Sequence, residues 1–144
     1  MDEKTKQYYV AQRNAILTQA NLIVAKIKNS GSLLEIAKNW EELSKFLYQI
    51  KEYQKMIGPT SAFDDIILAM TKSVEIKATN LAVETADVTI EKLKTISKGK
   101  KRNHLLNDAK MQISNAELLG RNLTGDRELL GKLEEKMSEL MSIG

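Results

Sequence analysis

Leu105, Ala109, Ala116, Leu119, Leu123, Leu130, Leu133, Met137 and Leu140 recur at spacings of three, four and seven through the last third of the chain. Side chains three and four apart share one helix face, so this periodicity specifies a bundle or coiled-coil seam. Asp126 stands in the middle of the stripe. An acid there either caps a helix or forms a polar layer that fixes the register of paired helices. Thr124-Gly125-Asp126 is strong turn chemistry, and a glycine inside a helix costs about 1 kcal/mol. The cap is therefore the favoured reading, with the segment folding as a hairpin rather than one long helix.

The preceding residues carry the same period. Leu33, Ile36, Trp40, Leu43, Leu47, Ile50 and Ile57 form a heptad series interrupted only by Gln54, with Phe46 and Tyr53 widening one flank. A stripe of that width suits a bundle core better than a two-stranded seam. Val10, Leu17 and Val24 recur every seven residues, flanked by Tyr9, Ile16 and Ile23. Two stripes occupy residues 62–97: Ile67, Val74, Leu81 and Val88 on one, Ala69, Ile76, Val83 and Ile90 on the other. Two stripes on one helix imply contacts on two sides, from neighbouring helices or from a partner.

Three breaks punctuate the pattern: Asn29-Ser30-Gly31-Ser32, Gly58-Pro59-Thr60-Ser61, and Lys98-Gly99-Lys100-Lys101-Arg102-Asn103. They predict helices over 3–28, 33–57, 62–97 and 102–142, the last with a break at Thr124-Gly125. Ser32 is placed to cap the second helix, and Thr60 or Ser61 the third. No strand-period alternation competes. The expected fold is all-α, an antiparallel bundle of four to five helices with coiled-coil-like packing. Its core draws on Leu33, Ile36, Trp40, Leu43, Leu47, Ile50, Ile67, Val74 and Leu81. The expected organisation is a three-helix bundle over 1–97, a basic linker over 98–103, and a C-terminal helix or hairpin over 104–144 packing on that bundle or on a partner.

Composition narrows the function classes. The chain has 144 residues, 42% apolar and 28% charged, enough to bury one core and too apolar for disorder. It holds no cysteine, so it has neither a disulfide framework nor a thiol nucleophile, which fits a cytoplasmic setting. The net charge of +3 makes no demand for nucleic acid, which is not expected as a partner. No apolar run approaches the roughly 20 residues needed to span a bilayer. The opening MDEKTKQYY lacks the layout of a secretion signal. Asn122-Leu123-Thr124 matches a glycosylation sequon and reads as coincidence in that context.

Catalytic constellations are absent from the sequence. His104 is the only histidine, so a metal site or triad built on histidines would lack its companions. It reads as a solvent-facing residue in a first helical turn. The alternative is the phosphoacceptor of a histidine phosphotransfer domain, which Asn103-His104-Leu105-Leu106 with Ala109 and Ile113 faintly resembles. Glu84, Asp87 and Glu91 share one helix face and read as a solvated acidic surface rather than a cation site. Asp64-Asp65 complements the positive end of the third helix. Lys98, Lys100, Lys101 and Arg102 form a basic cluster, read either as lysines favoured by a helix C-terminus or as a contact for an anionic membrane surface. No metal, cofactor or enzymatic activity is expected.

Two family resemblances give this a setting. Leu119, Leu123, Asp126, Leu130, Leu133, Met137 and Leu140, with Asp126-Arg127-Glu128, resemble the central part of a SNARE motif, in which a polar residue lies between leucine-rich layers. That resemblance implies an interaction seam, with the preceding helices as a regulatory bundle. Residues 26–76, including Ser32-Leu33, Ile36, Lys38, Trp40, Lys45, Pro59 and Phe63 to Ile76, resemble the core helices of ESCRT-III proteins. Asp126, Leu129, Lys132, Leu133 and Met137 are similar to that family's tail helix. Both imply a non-catalytic helical assembly protein of membrane traffic or remodelling, peripheral at a membrane. Its expected partner is a protein bound through helix–helix contacts, with homo-oligomerisation as an option. The alternative to both, besides phosphotransfer, is an accessory protein of a phage or mobile element acting by protein binding.

Overall fold

A computed structural model describes residues 2–58 and 61–143. The turn at Pro59 and the candidate caps Thr60 and Ser61 lie outside what is described, the last through its side chain. Five α-helices follow in order: α1 Glu3–Lys28, α2 Leu33–Ile57, α3 Ser61–Leu93, α4 Lys100–Asn122 and α5 Arg127–Ile143. No strand occurs among the described residues. The all-α fold follows from the sequence periods, and α1 and α2 end where those periods place them.

The helix termini have local causes. Asp2 caps α1, its carboxylate accepting from the Thr5 N–H at 2.8 Å, and Glu3 follows in the positive first turn. At the far end Lys26 and Lys28 face the negative pole, and the Ser30 hydroxyl donates to the Lys26 carbonyl at 3.0 Å. The third helix stops at Leu93, four residues short of its expected end. There the Thr95 N–H and hydroxyl both turn back to the Lys92 carbonyl at 3.1 Å, a tighter closure than the α-helical ladder.

The chain divides into two compact units, and the division falls inside α3, after Val74, rather than at residues 98–103. The first unit contains α1, most of α2 and the start of α3. Ala20, Ile23, Ile27, Ile36, Leu43, Leu47, Ile50, Ile67, Met70 and Val74 are buried in it. Tyr9 lies 5.8 Å from Tyr53, ring to ring, so the beginning of α1 meets the end of α2 and the two run antiparallel. At that same end Arg13 donates to Gln54 at 2.8 Å and stacks 3.9 Å above the Phe63 ring, joining all three helices. Gln54 is buried and also donates to the Gly58 carbonyl. The residue that breaks the heptad series is thus a satisfied polar contact within the core.

The second unit contains Gly31–Leu33, the remainder of α3, and α4 and α5. Two hairpins in succession make α4 antiparallel to both neighbours and leave α5 parallel to α3. Accordingly, Glu75 and Asp87 of α3 meet Asp126 and Lys136 in the same order. Ala78, Ala82, Ala86, Leu93, Leu106, Ala109, Ile113, Ala116, Leu133 and Leu140 are buried. Of the expected core, Trp40 and Leu81 are only half-buried, and Val88 on the same stripe is 55% exposed. A strict seven-residue repeat precesses by about 20° per heptad around a straight helix. Two heptads of drift are too little to account for this; Leu81 and Val88 belong to the second unit, where the buried row of α3 is Ala78, Ala82 and Ala86 instead.

Candidate functional site

The predicted interaction seam is divided between two helices. At the end of α4, Leu123 N–H donates to the Leu119 carbonyl at 3.1 Å and Gly125 N–H reaches back to the Gly120 carbonyl at 2.8 Å. Gly125 has φ +63°, a left-handed conformation that glycine adopts without steric cost. Asp126 then accepts from the Leu129 N–H at 3.0 Å, which makes it the N-cap of α5. The cap reading therefore holds, and residues 104–143 form a hairpin. Leu133 and Leu140 are fully buried; Leu119, Leu123, Asp126, Leu130 and Met137 are half-buried. Replacing Asp126 by Leu should lower stability by about 1 kcal/mol, with Asn or Ser restoring it, readable as the midpoint of urea unfolding.

A residue the sequence reading passed over holds this turn in place. Glu75, 2% exposed, directs its carboxylate at the loop between α4 and α5. One oxygen accepts from the Thr124 N–H at 2.7 Å and from the Thr124 hydroxyl; the other accepts from the Asp126 N–H at 3.2 Å. A carboxylate aimed at the start of α5 also meets the positive end of that helix. The signal was present in the spacing. Glu75 shares a face with Ala78, Thr79 and Ala82, all small and buried, so it is an acid on the core side of α3.

The acidic face of α3 is partly engaged. Lys136 of α5 lies 2.5 Å from Asp87 and 2.9 Å from Glu139, while Glu91 pairs with Lys94 at 2.8 Å. Glu84 is exposed. No group of acids and histidines with metal-holding geometry occurs among the described residues. The hydrogen bonds to Asp87 and then to Glu139 raise the Lys136 pKa above its ordinary value. A raised ammonium pKa contributes stability that is complete below the unfolded pKa and is lost as pH rises through the folded one. Lys136→Met should therefore reduce thermal stability at neutral pH, and the difference from the native chain should shrink above about pH 10.

The basic cluster is not a linker. Lys98 precedes Gly99, but Lys100, Lys101 and Arg102 already belong to the first turn of α4, where Asn103 N–H closes onto the Gly99 carbonyl at 3.0 Å. These three cations stand at the positive pole of a helix, the reverse of the placement that a helix C-terminus would favour. No acid lies in that turn and no side chain caps it. Arg102 reaches the Ile143 carbonyl at 3.5 Å, bringing the end of α5 beside the start of α4.

His104 projects from α4 two residues after Arg102, with its side chain 76% exposed and its Nε2 lying 3.2 Å from Asp108. Tyr8, Leu22, Leu34, Tyr48, Met56, Leu68, Ile76, Met111, Leu118 and Met141 are large apolar side chains left in solvent. On α3, Ala69 and Ile76 are exposed and Val83 and Ile90 half-buried, so the second stripe of that helix lies outside the core. No helix among the described residues is long and apolar enough to cross a membrane. No family model matches the chain, and no curated protein or solved structure matches it either.

Proposed function

We propose that this chain is a non-catalytic helical interaction and assembly protein working in membrane traffic or membrane remodelling. The observation that carries this reading is the second stripe of α3. Within the second unit, Ile76, Val83 and Ile90 repeat every seven residues along α3, whose other side there is already committed to that unit's core. A partner helix laid along that stripe would bury apolar surface at about 25 cal/mol per Å², the usual drive for helix-on-helix association. Met111 and Leu118, two turns apart on α4 and both exposed, offer a second, shorter strip of the same kind.

The membrane setting draws on the likeness to SNARE and ESCRT-III sequences and on Lys100 and Lys101 at the start of α4, which make no ion pair among the described residues. The SNARE-like seam contributes as a hairpin whose turn Glu75 clamps, not as one continuous helix. Ile76→Glu tests the reading. Because the side chain is exposed, the variant should keep its helical circular dichroism and melt within about 2 °C of the native chain. Used as bait in an extract of the native cell, it should lose at least ten-fold in the recovery of co-purifying proteins. Unchanged recovery would end the proposed partner binding on α3. The phosphotransfer alternative keeps one supporting observation, the exposure of His104. Phosphorylation of that residue in protein isolated from the native cell, absent from His104→Gln, would favour it instead.

A further inference from the structure

Residues 92–107 contain Lys92, Lys94, Lys98, Lys100, Lys101 and Arg102 and no acid. Without these six, the 22 Lys and Arg of the chain fall below its 19 Asp and Glu, so the whole net charge of +3 resides in this stretch. Lys94 is paired with Glu91, and Arg102 with a backbone carbonyl. Lys98, Lys100 and Lys101 make no ion pair among the described residues. Like charges crowded together at the positive pole of a helix oppose folding locally. An arrangement that violates local electrostatics without internal compensation is a mark of function.

Two cations of this stretch, Lys94 and Arg102, line a cleft of about 260 Å³ together with Ile90, Leu93, Ile143 and Glu139. Met141, two residues before the end of α5, adds an apolar side chain 64% exposed to solvent. Cations and apolar groups at one end of three helices match a surface that is anionic outside and hydrocarbon beneath. A nucleic acid would use the cations alone, since no aromatic residue interleaves with them for base stacking.

We infer that this end of the second unit docks on an anionic lipid bilayer, with Lys98, Lys100 and Lys101 on the headgroups and Met141 and Ile143 at the acyl boundary. The inference rests on the membrane setting proposed above and not on partner binding along the α3 stripe, with which it shares only Ile90. A cation near an anionic leaflet contributes enough that three of them amount to a partition change of about a hundred-fold.

Flotation of the full chain with vesicles tests it, comparing pure phosphatidylcholine with phosphatidylcholine containing about one-third phosphatidylserine. The native chain should float with the anionic vesicles only, and less at high salt. The triple variant Lys98→Gln, Lys100→Gln, Lys101→Gln should lose about a hundred-fold in partitioning with unchanged circular dichroism. Met141→Gln should lose several-fold, and Ile76→Glu should float like the native chain. Failure of the Ile76→Glu bait experiment alongside normal flotation would remove the α3 proposal and leave this one standing. No flotation of the native chain, flotation insensitive to the triple variant, or tighter binding to a single-stranded oligonucleotide than to the vesicles would each overturn it.

Discussion

Glu75→Leu should lower the melting temperature by about 10 °C, corresponding to about 3 kcal/mol. The carboxylate accepts three hydrogen bonds from the α4–α5 turn, two of them from backbone N–H groups. Hydrogen bonds to a charged acceptor contribute more than neutral ones, and donors left facing an apolar side chain carry a desolvation cost. Leucine fills similar volume, so the loss reports polar contacts rather than a cavity. Glu75→Gln retains one acceptor oxygen and should fall between the two. Thermal unfolding followed by circular dichroism measures all three. A Glu75→Leu protein as stable as the native chain would mean that water already satisfies the turn.

Leu43→Ala should cost about 3 kcal/mol by a different route. Leu43 is 0% exposed at the centre of α2, and truncation removes both its transfer energy and its packing partners. Leu43→Ile, which conserves volume, should cost under about 1.5 kcal/mol. Urea unfolding of the pair separates cavity formation from simple loss of hydrophobicity. Equal destabilisation by the two variants would show that shape, not burial, limits that site.

Much of the fold was legible because burial and period coincide. In α2, Leu33, Ile36, Leu43, Leu47 and Ile50 are apolar at heptad spacing and buried. Legibility failed where α3 passes from one unit to the other: the stripe buried at Ile67 and Val74 does not continue as the second unit's buried row, so Val88 faces water and Ala86 faces the core. It failed again for polar residues in the core. Gln54 reads as an interruption, and spacing puts Glu75 on the core side of α3 without naming what it binds, until the partners Arg13 and Thr124 are brought across from positions about 40 to 50 residues away in sequence. Pairings of that kind depend on how helices are arranged, and helix period carries no such information. Asp126 was legible because its chemistry is local: Thr124, Gly125 and Leu129 supply the turn and the capped N–H within three residues.

Docking of another protein on α3, as proposed, is tested most directly by a photo-crosslinking amino acid incorporated at position 76 in the native cell. Val88, 55% exposed and about 120° away round the same helix, is the control site. A discrete protein adduct at position 76, absent at position 88 and abolished by Val83→Glu, is the predicted result. An adduct pattern at position 76 no different from that at position 88 would contradict the proposal.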